Sequence, residues 1–398
     1  MTAQTLAEVL RLSARMAGDR LRGKKIVIIF VEELGFIQFI RPIFDELRAQ
    51  AGDKISYYLA TEYAERDDHL AAFGVPRSKR FHPRLARAFY LADVFLSASV
   101  YGKGPRTARR VNISHNQPTK FEAYPREYVM NYDVHFLTGP LHREQYEHMF
   151  EKHGLDTSND YRLIDVGYPK SDALLQGKYD RAEVLRGLGL DPNRKTVLYA
   201  PAWDPGGSLR EFGDEVIEQL LALEANVIVK LHPVSHTPPS SASYEFYTGG
   251  VNWVERFRKY ESNQIFRHVA AFEVDPLLVA ADLLVTDFSS VALEFVGLDR
   301  PIIYLDCPVY FEKTLKMPGY ETDPEYVKTN PRANAGRHVG IVVDNVNQLS
   351  AAAADALANP IERSNLRREL AKQLLYNPGK AGKVAATEIR KLLRLALE

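Results

Sequence analysis

The chain has 398 residues, 45% hydrophobic and 26% charged, with 51 basic residues against 51 acidic ones. That length exceeds what one hydrophobic core usually holds and predicts two soluble domains, while the lack of net charge or of a basic stripe argues against a nucleic-acid partner. A single cysteine, Cys307, excludes an internal disulfide and a cysteine-based metal cage.

At the N-terminus Leu6, Val9, Leu10, Leu12, Met16 and Leu21 recur at helical spacing among Arg11, Arg15, Arg20 and Arg22. Such a helix either packs on its own domain or rests on an anionic membrane surface. Signal-peptide features and membrane-spanning runs of about 20 apolar residues are absent, so a cytoplasmic enzyme is expected, with this helix as the candidate contact to the inner face of the cell membrane.

Residues 25–31 form a nearly continuous apolar run and read as a buried parallel strand. A helix over 41–50 follows, with Pro42 in its first turn, then a strand at 55–60, a helix over 62–73, strands at 94–98, 111–114 and 134–137, and a helix over 141–153. This alternation predicts a doubly wound sheet with helices on both faces and ligands beyond the carboxyl ends of the strands. The pattern pauses in Gly167-Tyr168-Pro169-Lys170-Ser171-Asp172, which divides the chain into Rossmann-like domains at 1–166 and 167–398. The second domain reads as a helix at 181–188, a strand at 196–200, a helix over 211–224, a strand at 226–231, a helix over 252–259, a short strand near 264, a helix at 276–281, strands from 283 and at 301–305, an irregular region to about 338, and a strand at 340–343. Helices over 346–358, 362–375 and 381–397 end the chain, and the last of them are candidates to pack back on the first domain. Two such domains facing each other predict an inter-domain cleft. The patternless stretch 318–331 suits a lid or acceptor loop, or equally a plain surface excursion.

The chemistry-bearing residues sit where strands end. Leu283-Leu284-Val285-Thr286-Asp287-Phe288-Ser289-Ser290 leads into an apolar-spaced segment with Glu294, and so reads as strand, tight turn and helix. Ser289 and Ser290 are expected to cap that helix, whose N-terminal amides form a seat for phosphate beside Thr286 and Asp287. An ordinary capped helix with no ligand fits the same window. His232 closes the run Val227-Ile228-Val229-Lys230-Leu231, and Pro233 stops the strand. Its imidazole suits a general base or a donor to phosphate, with Lys230 as a further cation; a turn histidine bonded to backbone is the plainer alternative. In the first half Val111-Asn112-Ile113-Ser114-His115-Asn116-Gln117-Pro118-Thr119-Lys120 repeats the arrangement, with Lys120 as a second candidate cation. Two histidines at corresponding strand ends predict a shared active site. In the loop Pro201-Ala202-Trp203-Asp204-Pro205-Gly206-Gly207-Ser208, the glycines would let backbone amides approach a ligand, though a turn without ligand fits as well. No metal-binding spacing and no G-x-S-x-G element occurs, so neither an intrinsic metal nor another cofactor is expected, and a serine triad is disfavoured.

Leu198-Tyr199-Ala200-Pro201, Lys230-Leu231-His232-Pro233, Thr286-Asp287-Phe288-Ser289-Ser290, Asp299-Arg300-Pro301-Ile302-Ile303-Tyr304 and Gly379-Lys380-Ala381 form an ordered set. The set resembles the CDP-glycerol glycerophosphotransferase family, the polymerase- and primase-like enzymes of teichoic acid and capsule polymer synthesis. The resemblance implies a GT-B-like fold and a CDP-activated donor held mainly by the C-terminal domain, with Pro201, Lys230, Thr286, Asp287 and Glu294 on the donor side. It gives His232 a role at the donor phosphates and seats the diphosphate on Ser289 and Ser290. It also matches His115 to the family's His-Gly-x-Pro element, as the base for an acceptor hydroxyl. Asn116 stands where the family commonly has glycine, Ser114 replaces the aromatic residue before the histidine, and Ala202 and Asp204 alter the strand-end loop. The implied activity moves a polyol phosphate, glycerol phosphate foremost, onto a glycan or lipid-linked hydroxyl and releases CMP. Two other readings use the same architecture: a nucleotide-sugar glycosyltransferase with Glu294 at the ribose, and a noncatalytic nucleotide-binding partner in polymer assembly.

Overall fold

The computed structural model describes residues 2–115, 117, 125–156, 161–317, 325, 327, 334 and 336–396. Asn116, Lys120 and nearly all of the stretch 318–331 lie outside the described residues. Contacts divide the chain into a first unit of Met1–His115, Ala123–Asp172 and Leu375–Glu398, and a second of Asn116–Glu122 and Ala173–Leu374.

In the first unit the strands are β1 (Lys25–Val31), β2 (Ile55–Thr61), β3 (Arg80–Phe81), β4 (Val94–Ser97), β5 (Arg109–Ile113), β6 (Val134–Leu137) and β7 (Arg162–Asp165), in the order 3-2-1-4-5-6-7. All neighbours pair in parallel. Alternate residues of β1 serve two cores. Val27, Ile29 and Val31 face the helices Ile37–Ala51 and Ala381–Leu392, while Ile26, Ile28 and Phe30 face Leu12 and Met16 of the helix Ala3–Leu21. Burial on both faces is why β1 reads as a continuous apolar run.

The final helix is fixed from far away in sequence. Ala381 N and Gly382 N donate to the two carboxylate oxygens of Asp172 at 3.0 and 2.7 Å, which caps the helix N-terminus. The pause at 167–172 is therefore part of the first unit's packing. Gly167, at φ 106°, lies so close to Tyr376 O that a Cβ there would come within 2.1 Å.

The second unit has β8 (Thr196–Tyr199), β9 (Asn226–Val229), β10 (Phe266–His268), β11 (Leu283–Thr286), β12 (Ile302–Leu305) and β13 (Ile341–Val343), in the order 10-9-8-11-12-13, again all parallel. Both orders reverse direction once, between β1 and β4 and between β8 and β11. Those are the switch points outside which doubly wound sheets bind ligands.

Several elements differ from the sequence expectation. The helix expected over 62–73 shrinks to Asp67–Leu70 with a 3-10 turn to Phe73, and that over 211–224 breaks at Gly213 (φ 52°) into Ser208–Phe212 and Asp214–Leu221. The irregular region after β12 contains a helix at Pro308–Glu312.

Candidate functional site

In the second unit, the loop after β8 and the turn after β11 flank the switch point, and Asp287 joins them. This carboxylate is fully buried. One oxygen accepts from Ala202 N at 2.9 Å and Phe288 N at 2.7 Å; the other accepts from Ser208 N at 2.9 Å and Ser208 Oγ at 2.8 Å. Burial pushes its pKa up, and these donors oppose the shift. Asp287 therefore binds the protein's own loop through both of its carboxylate oxygens. Thr286 is likewise buried and donates to Ala200 O at 2.7 Å. Pro201 is buried at the start of that loop, and Glu294 is half-buried on the helix Val291–Val296. The loop glycines also serve internal packing: a Cβ on Gly206 (φ 76°) would meet Tyr310 N at 2.7 Å, and one on Gly207 would meet Asp287 at 3.3 Å.

Ser289 and Ser290 depart from the sequence expectation in another way. Ser290 is the N-cap of Val291–Val296 but makes no side-chain cap bond, and neither hydroxyl is hydrogen-bonded among the described residues. Both serines are half-buried. The helix is only six residues long, so its macrodipole is slight and the two hydroxyls carry more of any anion contact than the helix does.

His232 follows the end of β9. Its Nδ1 accepts from Val234 N at 3.3 Å, so the ring proton sits on Nε2, which is a donor. His232 is exposed at the strand end, yet the bulk of protein beneath it, then the Lys230 ammonium and His236, lower its pKa below the usual imidazole value. Lys230 is buried, with Nζ donating to Leu231 O at 2.8 Å. Sequence reasoning missed two neighbours. Trp203 lies 6.4 Å from the His232 ring and packs with Phe246 and Tyr247, and His236 Nε2 lies 3.2 Å from His268 Nε2. The signal for Trp203 was its place in the loop after β8; nothing in the sequence paired His236 with His268.

In the first unit His115 follows β5. Its Nδ1 lies 2.7 Å from Ala98 O; a carbonyl only accepts, so Nδ1 carries the proton and Nε2 is the basic nitrogen. Phe36 stacks on the ring at 4.7 Å and Phe39 meets it edge-on at 6.2 Å. This apolar packing disfavours the imidazolium and lowers the pKa, against the raising effect of Ala98 O. Glu32, the first residue after β1, accepts a hydrogen bond from the Ser99 hydroxyl beyond β4. Burial raises its pKa, opposed by Ser99 and assisted by Glu33 and Glu62. A carboxyl at the switch point was detectable from the Glu32-Glu33 pair that ends the β1 run, and was overlooked.

Asp299-Arg300 belongs to the scaffold. Asp299, at φ 52°, binds Ser364 Oγ at 2.6 Å and Arg367 Nε at 3.0 Å, while Arg300 donates to Val279 O at 2.7 Å. Among the described residues no group of three or more His, Cys, Asp or Glu side chains is placed to hold a metal ion.

The model of the family described as CDP-Glycerol:Poly(glycerophosphate) glycerophosphotransferase matches residues 111–316, more than half the chain. The chain belongs to this family. That stretch holds both strand-end histidines and the β11 turn. The chain is 26% identical over 156 residues to a teichoic acid glycerol-phosphate transferase of Staphylococcus aureus, covering 36% of this chain and 35% of that protein. It is 28% identical over 159 residues to a teichoic acid glycerol-phosphate primase of Bacillus subtilis, covering 39% and 36%. The chain thus spans little more than a third of the length of these relatives. The wall teichoic acid polymerase TagF has a similar structure, with TM-score 0.63 at 15% identity over 99% of this chain and 98% of that one. S. aureus MnaA with UDP has TM-score 0.56 at 13% identity over 94% and 98%. With two Rossmann-ordered sheets, this family member has the α/β architecture of the GT-B class.

Proposed function

We propose that the chain transfers a polyol phosphate, glycerol phosphate foremost, from a CDP-activated donor to a hydroxyl of a glycan or lipid-linked acceptor. The observation that carries this reading is the match to the glycerophosphotransferase family over residues 111–316; each unit by itself also presents a strand-end histidine, with a basic Nε2 on His115 and a donor Nε2 on His232. Phosphoryl transfer needs one of each. The acceptor oxygen attacks the phosphorus that bears the polyol, its proton passes to His115 Nε2, the bond to the CMP oxygen breaks, and CMP leaves with the electron pair. Charge gathers on the departing phosphate, where the His232 N–H and the Ser289 and Ser290 hydroxyls donate. Membership of the glycerophosphotransferase family supports the transfer of a polyol phosphate.

A membrane-borne acceptor fits the first helix. Leu6, Leu10 and Leu21 are 45%, 61% and 90% exposed, and their spacing puts them on one face, with Arg11, Arg15 and Arg22 beside it. No helix among the described residues is long and apolar enough to cross a membrane. Incubation with CDP-glycerol and a glycerol-phosphate-primed acceptor is expected to release CMP and form a new phosphodiester. Turnover of a nucleotide sugar, with no CDP-polyol used, would refute the reading. Sedimentation with phosphatidylglycerol vesicles tests the helix: Leu6→Ser with Leu10→Ser is expected to weaken binding, and unchanged binding removes this face from the account.

A further inference from the structure

The first unit carries a second cluster of charge at the opposite end of its sheet from His115. Arg109, Val134 and Arg162 stand at the amino ends of β5, β6 and β7, and with Asp133, Lys391 and Arg394 they line a cavity of about 250 Å³. The guanidinium groups of Arg109, Arg162 and Arg394 have no hydrogen-bond or ion-pair partner among the described residues. Asp133 does not neutralise them. Its carboxylate is engaged by Arg110, through the backbone N at 2.8 Å, Nε at 3.1 Å and a further contact from Nη2. Lys391 in turn pairs with Glu388 at 2.6 Å. Arg394, just past the final helix, has φ 52°, a conformation that glycine or asparagine usually takes there. An arginine is held there, in the lining of the cavity.

Three unpaired guanidinium groups around one cavity repel each other until an anion enters. Planar, multiply donating groups of this kind fit oxyanions, phosphate above all. At about 250 Å³ the cavity is smaller than the roughly 300–1,000 Å³ of sites that enclose whole drug-sized ligands, which favours a phosphoryl group with a short polyol over an entire nucleotide. We propose that this cavity is a second anion site that grips a phosphoryl group of the growing acceptor chain. The assignment to the acceptor rests on the proposed function, since that reaction makes and extends phosphodiesters. A chain held at both ends of the first unit's sheet is retained between transfers.

The test compares the full chain with a variant carrying Arg109→Gln, Arg162→Gln and Arg394→Gly; all three side chains are exposed, and glycine suits the φ at 394. A soluble glycerol phosphate oligomer is titrated calorimetrically in the presence of CMP, and phosphatidylglycerol vesicles form a parallel arm. The variant is expected to bind the oligomer at least about 10-fold more weakly, with CMP release onto a single-unit acceptor unchanged. Loss confined to the vesicles reassigns the site to a lipid headgroup and overturns the acceptor assignment. Unchanged affinity for both probes overturns the anion site itself. Because oligomer binding is read without turnover, absence of CMP release in both proteins would count against the proposed function and leave this comparison intact.

Discussion

Ser208 gives both its backbone N–H and its hydroxyl to one oxygen of Asp287, at 2.9 and 2.8 Å. The other oxygen holds Ala202 and Phe288, so one buried carboxylate ties the loop after β8 to the turn after β11. The family's Thr-Asp-Phe-Ser-Ser element thus divides its labour. Thr286 and Asp287 build the frame, and the hydroxyls of the two serines beyond them have no hydrogen-bond partner among the described residues.

Asp287→Asn replaces one acceptor oxygen with an amide that cannot take these donors. Leaving buried donors unsatisfied is expected to lower stability by about 3 kcal/mol, a fall of roughly 10 °C in the melting temperature of a unit of this size. A calorimetric scan that matches wild type would show that the loop is held by other contacts.

Ser289→Ala and Ser290→Ala should behave in the opposite way. A capping serine usually contributes about 1 kcal/mol, but neither hydroxyl is bonded within the described protein. Each variant is therefore expected to melt within about 0.5 kcal/mol of wild type, while CDP-glycerol binding weakens about tenfold per lost charged hydrogen bond. Destabilisation without loss of donor affinity would make these residues structural.

The strand cores were legible in the sequence because burial on both faces forces continuous apolar runs, as in Val27 to Phe30 and Val227 to Val229. The two-residue β3 was too short to leave a pattern, and edge strand β7, Arg162–Asp165, keeps two of its four residues exposed. The strand-end positions of His115 and His232 were legible from an apolar run followed by histidine and proline. The role of Asp287 was not. An aspartate that seats a ligand and one that grips a loop look alike locally, and the partner that distinguishes them, Ser208, is 79 residues away. The tautomers were hidden for the same reason, since Ala98 O is 17 residues from His115.

The pH profile follows from His115. A general base works deprotonated, so kcat/KM should rise with pH and level off once the imidazole has lost its proton. Burial, including the stacking of Phe36, lowers that pKa, so the midpoint of the acid limb should lie below the ordinary value of about 6.5. Phe36→Ala, which opens the ring to water, is expected to move the acid limb toward higher pH. A limb that stays in place would separate the rate from this imidazole.

His232→Asn isolates the second histidine. The asparagine oxygen can still accept from Val234 N, so the local turn and the melting temperature should be kept. The Nε2 donor is gone, and loss of one donor to a developing oxyanion is expected to lower kcat by about 10²–10³. Equal rates in the variant and wild type would place His232 outside the reaction.

The central claim is that the chain moves an intact polyol phosphate and that His115 takes the acceptor's proton. The most direct measurement is phosphorus-31 NMR of CDP-glycerol with a primed acceptor, run with wild type and with His115→Ala. Equal amounts of CMP and new phosphodiester are expected with wild type, and a rate lower by about 10²–10⁴ with the variant. Intact CDP-glycerol with wild type, or equal rates from the two proteins, would contradict the claim.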